Sequence, residues 1–566
     1  MRRLFKENLL QIAIIFLFSV LYVFELFTNT GQSANMDGTV HITTANLFAK
    51  SLLQGNFPVS WIDHFANYGL PLGLISQQFT SYLDALWIIL FHDPVLSLNI
   101  TIFLGVLFSS LFYYFFLRIY FEKYYSLIGV IIFNLIPYRI LNIYIRGAIP
   151  EFFTLVFVPL LLIALYLMIE KKRMAGFFLA ILSTALLILT HPFMLVVNSQ
   201  LIFPYALFLL FKNHTVRHNG KKLIIRLTSL AVAVGAGLGM ASYYFIPLNR
   251  EIKYFYYGLT TNHLTPNNSL LVDSFFGKEF YYFTKYDVFS RGFFVSVGNV
   301  ETIITILGVV YLLWKWLVKK DRAFSIFEFS LIITLIYMFF VSRLSDPLYT
   351  HISLLSNIQF PWRMLNGFIV VLPILAVYLL QKFNKAWLGV LLIVVVCTLR
   401  FPQFYGKNYT IFPESYYSFT SHNLHAVVMN PIWSTRSEDY PIETLKPKIL
   451  EGDGTITINS VKDTMRSYTI EANTELHMID FTFYFPGWKL RIDGKETPIQ
   501  YQDPAQNYKG VITYYVPQGT HQVELKFEDT AIRKIAKLLS LMSLGVIALF
   551  AVFHKRLQKL LLLTGD

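Results

Sequence analysis

Cysteine is almost absent from this chain. One residue, Cys397, stands among 566. It lies in an apolar run, so a disulfide framework is excluded and a cysteine-built zinc site has no ligands. Charge is scarce too. Asp, Glu, Lys and Arg make up 14% of the residues, against about 25% in soluble domains. That little charge cannot cover a water-soluble protein of this length, so lipid must supply much of the solvent. Acidic residues are the rarer sign, 34 against 47 basic, which leaves a formal net charge of +13. The excess does not gather into a nucleic-acid-binding patch. It is spread in short runs between apolar segments, which is a topological pattern. Internal repeats and low-complexity tracts are missing as well.

Apolar residues are plentiful, at 55% of the chain, with 17% aromatic. A spanning helix takes roughly 20 mainly apolar residues, and about twelve stretches qualify. They lie near 8–28, 97–117, 124–143, 150–169, 174–190, 192–211, 227–248, 297–314, 324–342, 360–381, 386–401 and 531–553. The run after Met1-Arg2-Arg3 is long for a signal peptide and lacks a small-residue cleavage site, so it reads as a first span. Basic loops recur on one side: Arg2, Arg3 and Lys6; Lys171-Lys172-Arg173; Lys212 to Arg226; Lys315 to Arg322; Lys382 and Lys385; Lys555, Arg556 and Lys559. The positive-inside rule puts these loops and both termini in the cytoplasm of a multi-pass cell-membrane protein. Segments 29–96, 249–296 and 402–530 then face outward. Within the first, Leu83 to Phe91 is too short to span and is expected on the outer leaflet, as is Thr39 to Leu53.

Periodicity changes in the third outer segment. Thr455-Ile456-Thr457-Ile458, Ser467-Tyr468-Thr469-Ile470 and Phe481 to Phe485 alternate with period two, as half-buried strands do. Asp493-Gly494 marks a tight hairpin, and Pro517-Gln518-Gly519 marks another turn. The expected fold is a polytopic α-helical membrane protein with a C-terminal extracytoplasmic β-sandwich of about six to eight strands. Residues 1–401 form the multi-span domain, 402–530 the β-rich domain, and 531–566 the final helix and tail.

Candidate chemistry clusters at the outer ends of spans. Asp37 and His41 follow the first span at helical spacing, so both point to one face. A carboxylate there can act as a general base; as an alternative, Asp37 caps the helix that starts beside it. Asp63-His64 follows, and reads equally as solvated loop. Arg146 and Glu151 flank the turn into the fourth span. His191 joins the fifth and sixth, and Arg363 opens the tenth within Phe360-Pro361-Trp362-Arg363. Arginine suits phosphate because its planar fork donates two parallel hydrogen bonds; a simple Arg146–Glu151 pair, or Arg363 reaching for lipid headgroups, is the alternative. Acid, histidine and arginine from separated segments on one face suit an anionic lipid substrate. Gly235 to Gly239 lies inside a span and reads as close helix packing.

The order of parts resembles the GT-C class of membrane glycosyltransferases. Within it the chain looks most like the YfhO-type bacterial proteins, some labelled "6-pyruvoyl-tetrahydropterin synthase-related". The matching stretches are Asp37-Gly38-Thr39-Val40-His41, Trp61 to Pro71, Arg146 to Glu151, Phe360 to Arg363, and Phe485-Pro486-Gly487-Trp488 through Lys495. Val516 to His521 adds another. The resemblance implies an inverting transfer of a sugar from a polyprenyl-phosphate-linked donor to a cell-envelope polymer, teichoic acid among the options, on the outer face. Asp37 would be the base, with His41 beside it. Asp63, His64, Arg146, Glu151, His191 and Arg363 would bind substrate. No cofactor is implied; many GT-C enzymes carry paired acids where this chain has Asp37 and His41, which leaves use of a divalent metal open. Pterin chemistry needs a three-histidine zinc site, and the 13 histidines here are scattered. A lipid-linked glycan transporter or flippase, or a non-catalytic envelope-assembly protein, is the alternative function.

Overall fold

The computed structural model describes residues 7–63, 68–213, 218–256, 295–356, 358, 360–404, 408–417, 430–434, 447–502 and 509–553. His64, Arg217, most of the second outer segment and the basic residues nearest both termini lie outside the described residues.

Among the described residues seven helices are long and apolar enough to cross a membrane. They are Pro94–Leu117, Ile149–Ile169, Pro192–Lys212, Gly220–Met240, Asn299–Leu317, Pro361–Lys382 and Ala531–Val552. An eighth is the pair Lys123–Leu135 and Pro137–Tyr144 taken as one span, bent by 52°. The bend has a local cause. Pro137 bars the residue before it from helical geometry, and Ile136 is extended at ψ 133°. The chain is therefore a multi-pass membrane protein, with fewer full-length spans than the twelve expected. The remaining four expected spans are shorter apolar helices, Leu9–Tyr22, Met174–Thr190, Ile326–Val341 and Ala386–Phe401. Punctuation explains two of them. The first is interrupted at Val23 and resumes as Phe24–Thr28; the second stops at His191-Pro192. Close helix packing occurs where small residues suggested it: a Cβ on Gly237 would stand 2.7 Å from Thr184 Cβ of the neighbouring Met174–Thr190 helix.

Among the described residues the β region contains eight antiparallel strands in two sheets. We number all strands in chain order. β1 (Gln32–Ser33) pairs with β2 (Tyr409–Thr410), tying the first outer segment to the third. β3 (Lys448–Glu451), β6 (Leu476–Phe483) and β9 (Val511–Val516) form one sheet in the order β3-β6-β9. β4 (Gly454–Lys462), β5 (Met465–Ala472), β7 (Trp488–Ile492), β8 (Lys495–Thr497) and β10 (Gly519–Phe527) form the other, in the order β4-β5-β10-β7-β8. Between β7 and β8, Asp493 at φ 50° and Gly494 at φ 78° make the two-residue hairpin; both angles are positive, as a type I′ turn needs.

One strand departs from the alternation. Every residue of β6 is buried, because its second face is covered as well. The cover is the first outer loop. Tyr68 stacks on Phe483 at 5.2 Å, and Phe483 donates its backbone N–H to the Tyr68 carbonyl at 2.9 Å. Trp61 sits 5.2 Å from both Trp488 and Phe527. The loop and the sheets thus share one core. The helix Gly38–Leu53 joins this arrangement rather than lying on a lipid surface. Its residues from Ile42 to Ala49 are buried, and it packs on the Gln78–Phe91 helix, with Phe48 and Tyr82 5.2 Å apart.

Candidate functional site

A cavity of about 190 Å³ opens where the first outer loop meets the ends of several helices. It is lined by Asp37, His41, Arg146, Glu151, His191 and Arg363, with Leu72 to Gln77 on one wall. Six of the eight residues singled out from the sequence therefore surround one space.

Each is placed by a local backbone device. Asp37 and His41 begin the Gly38–Leu53 helix. The Asp37 side chain makes no capping hydrogen bond. Asn35 caps instead, accepting from the Gly38 N–H at 2.7 Å. The capping role is thus filled elsewhere, and the half-buried Asp37 carboxylate is left to the cavity. Its position is fixed by the chain behind it. Met36 N–H donates to the Ile145 carbonyl at 3.1 Å and Asp37 N–H to the Arg146 carbonyl at 2.7 Å. That close approach needs glycine at 147. Gly147 sits at φ +67°, and a Cβ on it would lie 2.4 Å from Asn35 Oδ1 and 2.8 Å from the Gly38 nitrogen.

His191 and Arg363 owe their places to proline. Pro192 holds His191 extended at φ −162°, so the ring sits in the break between two helices. Pro361 does the same to Phe360 and opens a 3₁₀ turn that carries Arg363.

Glu151 is the electrostatic centre. It lies in the first turn of Ile149–Ile169, where a carboxylate suits the positive end of the helix. Its Oε2 is 3.2 Å from Arg146 Nη1 and 3.2 Å from Arg363 Nε. The first contact is an aligned hydrogen bond. The second is an ion pair by distance only, since Arg363 Nε is not aligned to donate. Oε1 accepts from the Tyr138 hydroxyl and, at 3.3 Å, from Asn142 Nδ2. Arg146 Nη1 also reaches Asn142 Oδ1 at 2.6 Å, and Arg363 Nη1 donates to the Ile358 carbonyl at 2.9 Å. Burial works against the Arg146 charge, but Glu151, Tyr138 and Asp37 together outweigh it and hold its pKa above the usual arginine value. Two guanidinium groups therefore share one carboxylate. With Asp37 the cavity holds two guanidinium groups and two carboxylates, so its formal charge balances, and the arginine N–H donors beside Asp37 suit an anionic oxygen bound next to a base.

Tyr138 and Asn142 were not foreseen. They lie four apart on Pro137–Tyr144, so both reach Glu151 from one face. Their sequence signal is polarity within a mainly apolar stretch that also holds Arg139.

Asp63 does not line the cavity. It is buried against the β sheets, where Arg466 of β5 donates to its Oδ1. Arg466 Nη1 stands 3.6 Å from Asp480, whose carboxylate also accepts from Tyr468 and Thr482 at 2.6 Å each. Asp63 thus fastens the first outer loop to the β domain, in place of the substrate contact expected of it. Arg139, near the end of the same expected span as Arg146, turns inward to Ser109 and Asn134. Among the described residues, no three His, Cys, Asp or Glu side chains come together in a group that could hold a metal ion.

No family model matches the chain, and no curated protein matches it. Among solved structures, the chain is similar to the oligosaccharyltransferase of Archaeoglobus fulgidus in its apo form, at 13% identity and a TM-score of 0.38. The match covers 77% of this chain and 61% of that one, so the chain spans less than two thirds of that protein's length.

Proposed function

We propose that the chain is an inverting membrane glycosyltransferase of the GT-C class, similar to the YfhO-type proteins. It takes a sugar from a polyprenyl-phosphate carrier and passes it to a cell-envelope polymer at the outer membrane face. One observation carries the reading. The Asp37 carboxylate, relieved of capping, shares a cavity with two arginines whose charge Glu151 only half neutralises.

The chemistry follows from those groups. An acceptor hydroxyl attacks the anomeric carbon, and Asp37 accepts its proton. The bond from that carbon to the phosphate oxygen breaks, and its electron pair leaves with the prenyl phosphate. Arg146 and Arg363 stabilise the charge that builds on the phosphate. The orientation, with both termini cytoplasmic and 402–530 outside, is supported by the basic loops.

The test compares envelope polymers from cells with and without the gene. Loss of glycosyl substituents is the expected result, and an unchanged set of substituents refutes the transfer. For orientation, a cysteine placed near Asp493 should react with an impermeant reagent in intact cells. Its protection there would place the cavity on the opposite face.

A further inference from the structure

The His191 imidazole lines the cavity at only 7% exposure, yet its Nδ1 has no hydrogen-bond partner. Buried polar atoms are rarely left that way, and each such case calls for a reason. The ring is placed by the break between the two helices. Its backbone is held extended ahead of Pro192, and the Phe193 ring stands edge-on at 6.2 Å. Glu151 is an unsuitable partner because its oxygens already serve Arg146, Tyr138 and Asn142.

The surroundings also set the state of the ring. Burial, and then the Arg363 guanidinium, press the His191 pKa down to about 3. A neutral imidazole offers one N–H donor and one acceptor. Among positive neighbours its use is a donor that adds no further charge.

We propose that His191 Nδ1–H donates a hydrogen bond to a non-bridging oxygen of the phosphate held by Arg146 and Arg363. This rests on the reading of the cavity as a phosphate-ester site. His191 transfers no proton in this role: the prenyl phosphate leaves as an anion, and the imidazole adds a fixed dipole to the two charges. It is a substrate contact that discriminates in favour of a phosphate oxygen, an acceptor, over a hydroxyl group that must also find a partner for its own proton.

The experiment uses the full chain in lipid nanodiscs, with undecaprenyl phosphate as probe and undecaprenol, the same tail without phosphate, as control. His191→Leu removes both ring nitrogens at similar volume. It should bind undecaprenyl phosphate about 10- to 100-fold more weakly, while binding undecaprenol as before. Without ligand it should melt no lower than the parent, because it no longer buries an unpaired polar atom. His191→Asn sets an amide N–H near the place of Nδ1 and should recover affinity to within about threefold of the parent. Equal affinity of His191→Leu and the parent for undecaprenyl phosphate overturns the proposal. So does an equal loss for undecaprenol, or an Asn variant as weak as Leu. Arg363→Ala separates the two levels. If it binds the probe as tightly as the parent does, the phosphate site itself is refuted. If it loses binding while His191→Leu keeps it, only the histidine contact falls.

Discussion

Asp37 and Arg146 are joined through their backbones, the N–H of one on the carbonyl of the other at 2.7 Å. The candidate base and a candidate phosphate ligand are thereby parts of one clasp between the first outer loop and the entry to the Ile149–Ile169 helix. A shift in one carries the other, so their separation is set by main chain rather than by two flexible side chains. Preorganisation of this kind is what a charge-stabilising site requires.

The catalytic assignment of Asp37 predicts a clean separation of activity from stability. Asp37→Asn should lower turnover by about 10²–10⁴-fold. Folded yield and melting temperature should hardly change, because Asn35 supplies the cap. A well-folded Asp37→Asn protein that decorates its acceptor at the parental rate would remove Asp37 as the base.

Arg363 offers a fork, and a point charge should not replace it. Arg363→Ala should reduce kcat/KM strongly. Arg363→Lys should recover only part of the loss, because an ammonium group cannot hold the Ile358 carbonyl and a phosphate in the same geometry. Full recovery by lysine would return the residue to a simple charge on the rim.

For Arg466 the expected effect is on stability. Arg466→Ala leaves Asp63 and Asp480 buried without their cation, and breaking such a pair costs about 3–5 kcal/mol. Chemical unfolding of the purified chain measures it. Asp63→Asn should cost less, since Arg466 keeps Asp480, and should leave turnover per folded molecule near the parental value. Loss of turnover in a stable Asp63→Asn protein would restore Asp63 to the substrate-binding role that the resemblance implies.

A pH effect is expected at the β domain surface. His521 Nδ1 lies 2.7 Å from Asp493 Oδ2. That hydrogen bond raises the pKa of His521 above its usual value and lowers that of Asp493 below its own. The raised histidine stabilises fully below the unfolded pKa of about 6.5, and its contribution fades as pH rises through the folded value. The lowered aspartate contributes above about 3.9, and its contribution fades as pH falls through its folded value. Their joint contribution is therefore largest between the two. His521→Gln should lower the melting temperature at about pH 5.5 and have little effect at about pH 9. An equal effect at both pH values would show that the pair does not titrate as described.

The parts readable in the sequence share a physical property: their signal is local. Apolar runs of helical length, the alternation of β5, and Asp493-Gly494 between two strands each declare themselves within a few neighbours. The grouping of Arg146 with Glu151 is similarly local. The pairing of Asp63 has no local sign because its partner Arg466 lies 403 residues away, and no period or spacing connects them. β6 was read as half-buried for the same reason, since the aromatic cover on its second face comes from Tyr68. Tyr138 and Asn142 became visible only once the bend at Ile136 had aimed their helix at Glu151. Full-length spans were overcounted because hydropathy registers apolarity, whereas breaks at Val23 and His191-Pro192 decide how far a helix runs.

The shared core of first loop and β sheets also sets a schedule. Trp61, Tyr68 and Asp63 leave the ribosome early, while Arg466, Phe483 and Phe527 come about 400 residues later, roughly 20–80 s at ordinary rates of synthesis. Through that interval the aromatic face of the first loop waits without its cover. Leu72 and Leu74, beside the cavity, belong to the same core and complete their packing when the last strands are in place. Assembly of this protein is thus closed by its C-terminal end, and a chain cut short before β10 would leave its earliest outer segment as exposed as on the day it was made.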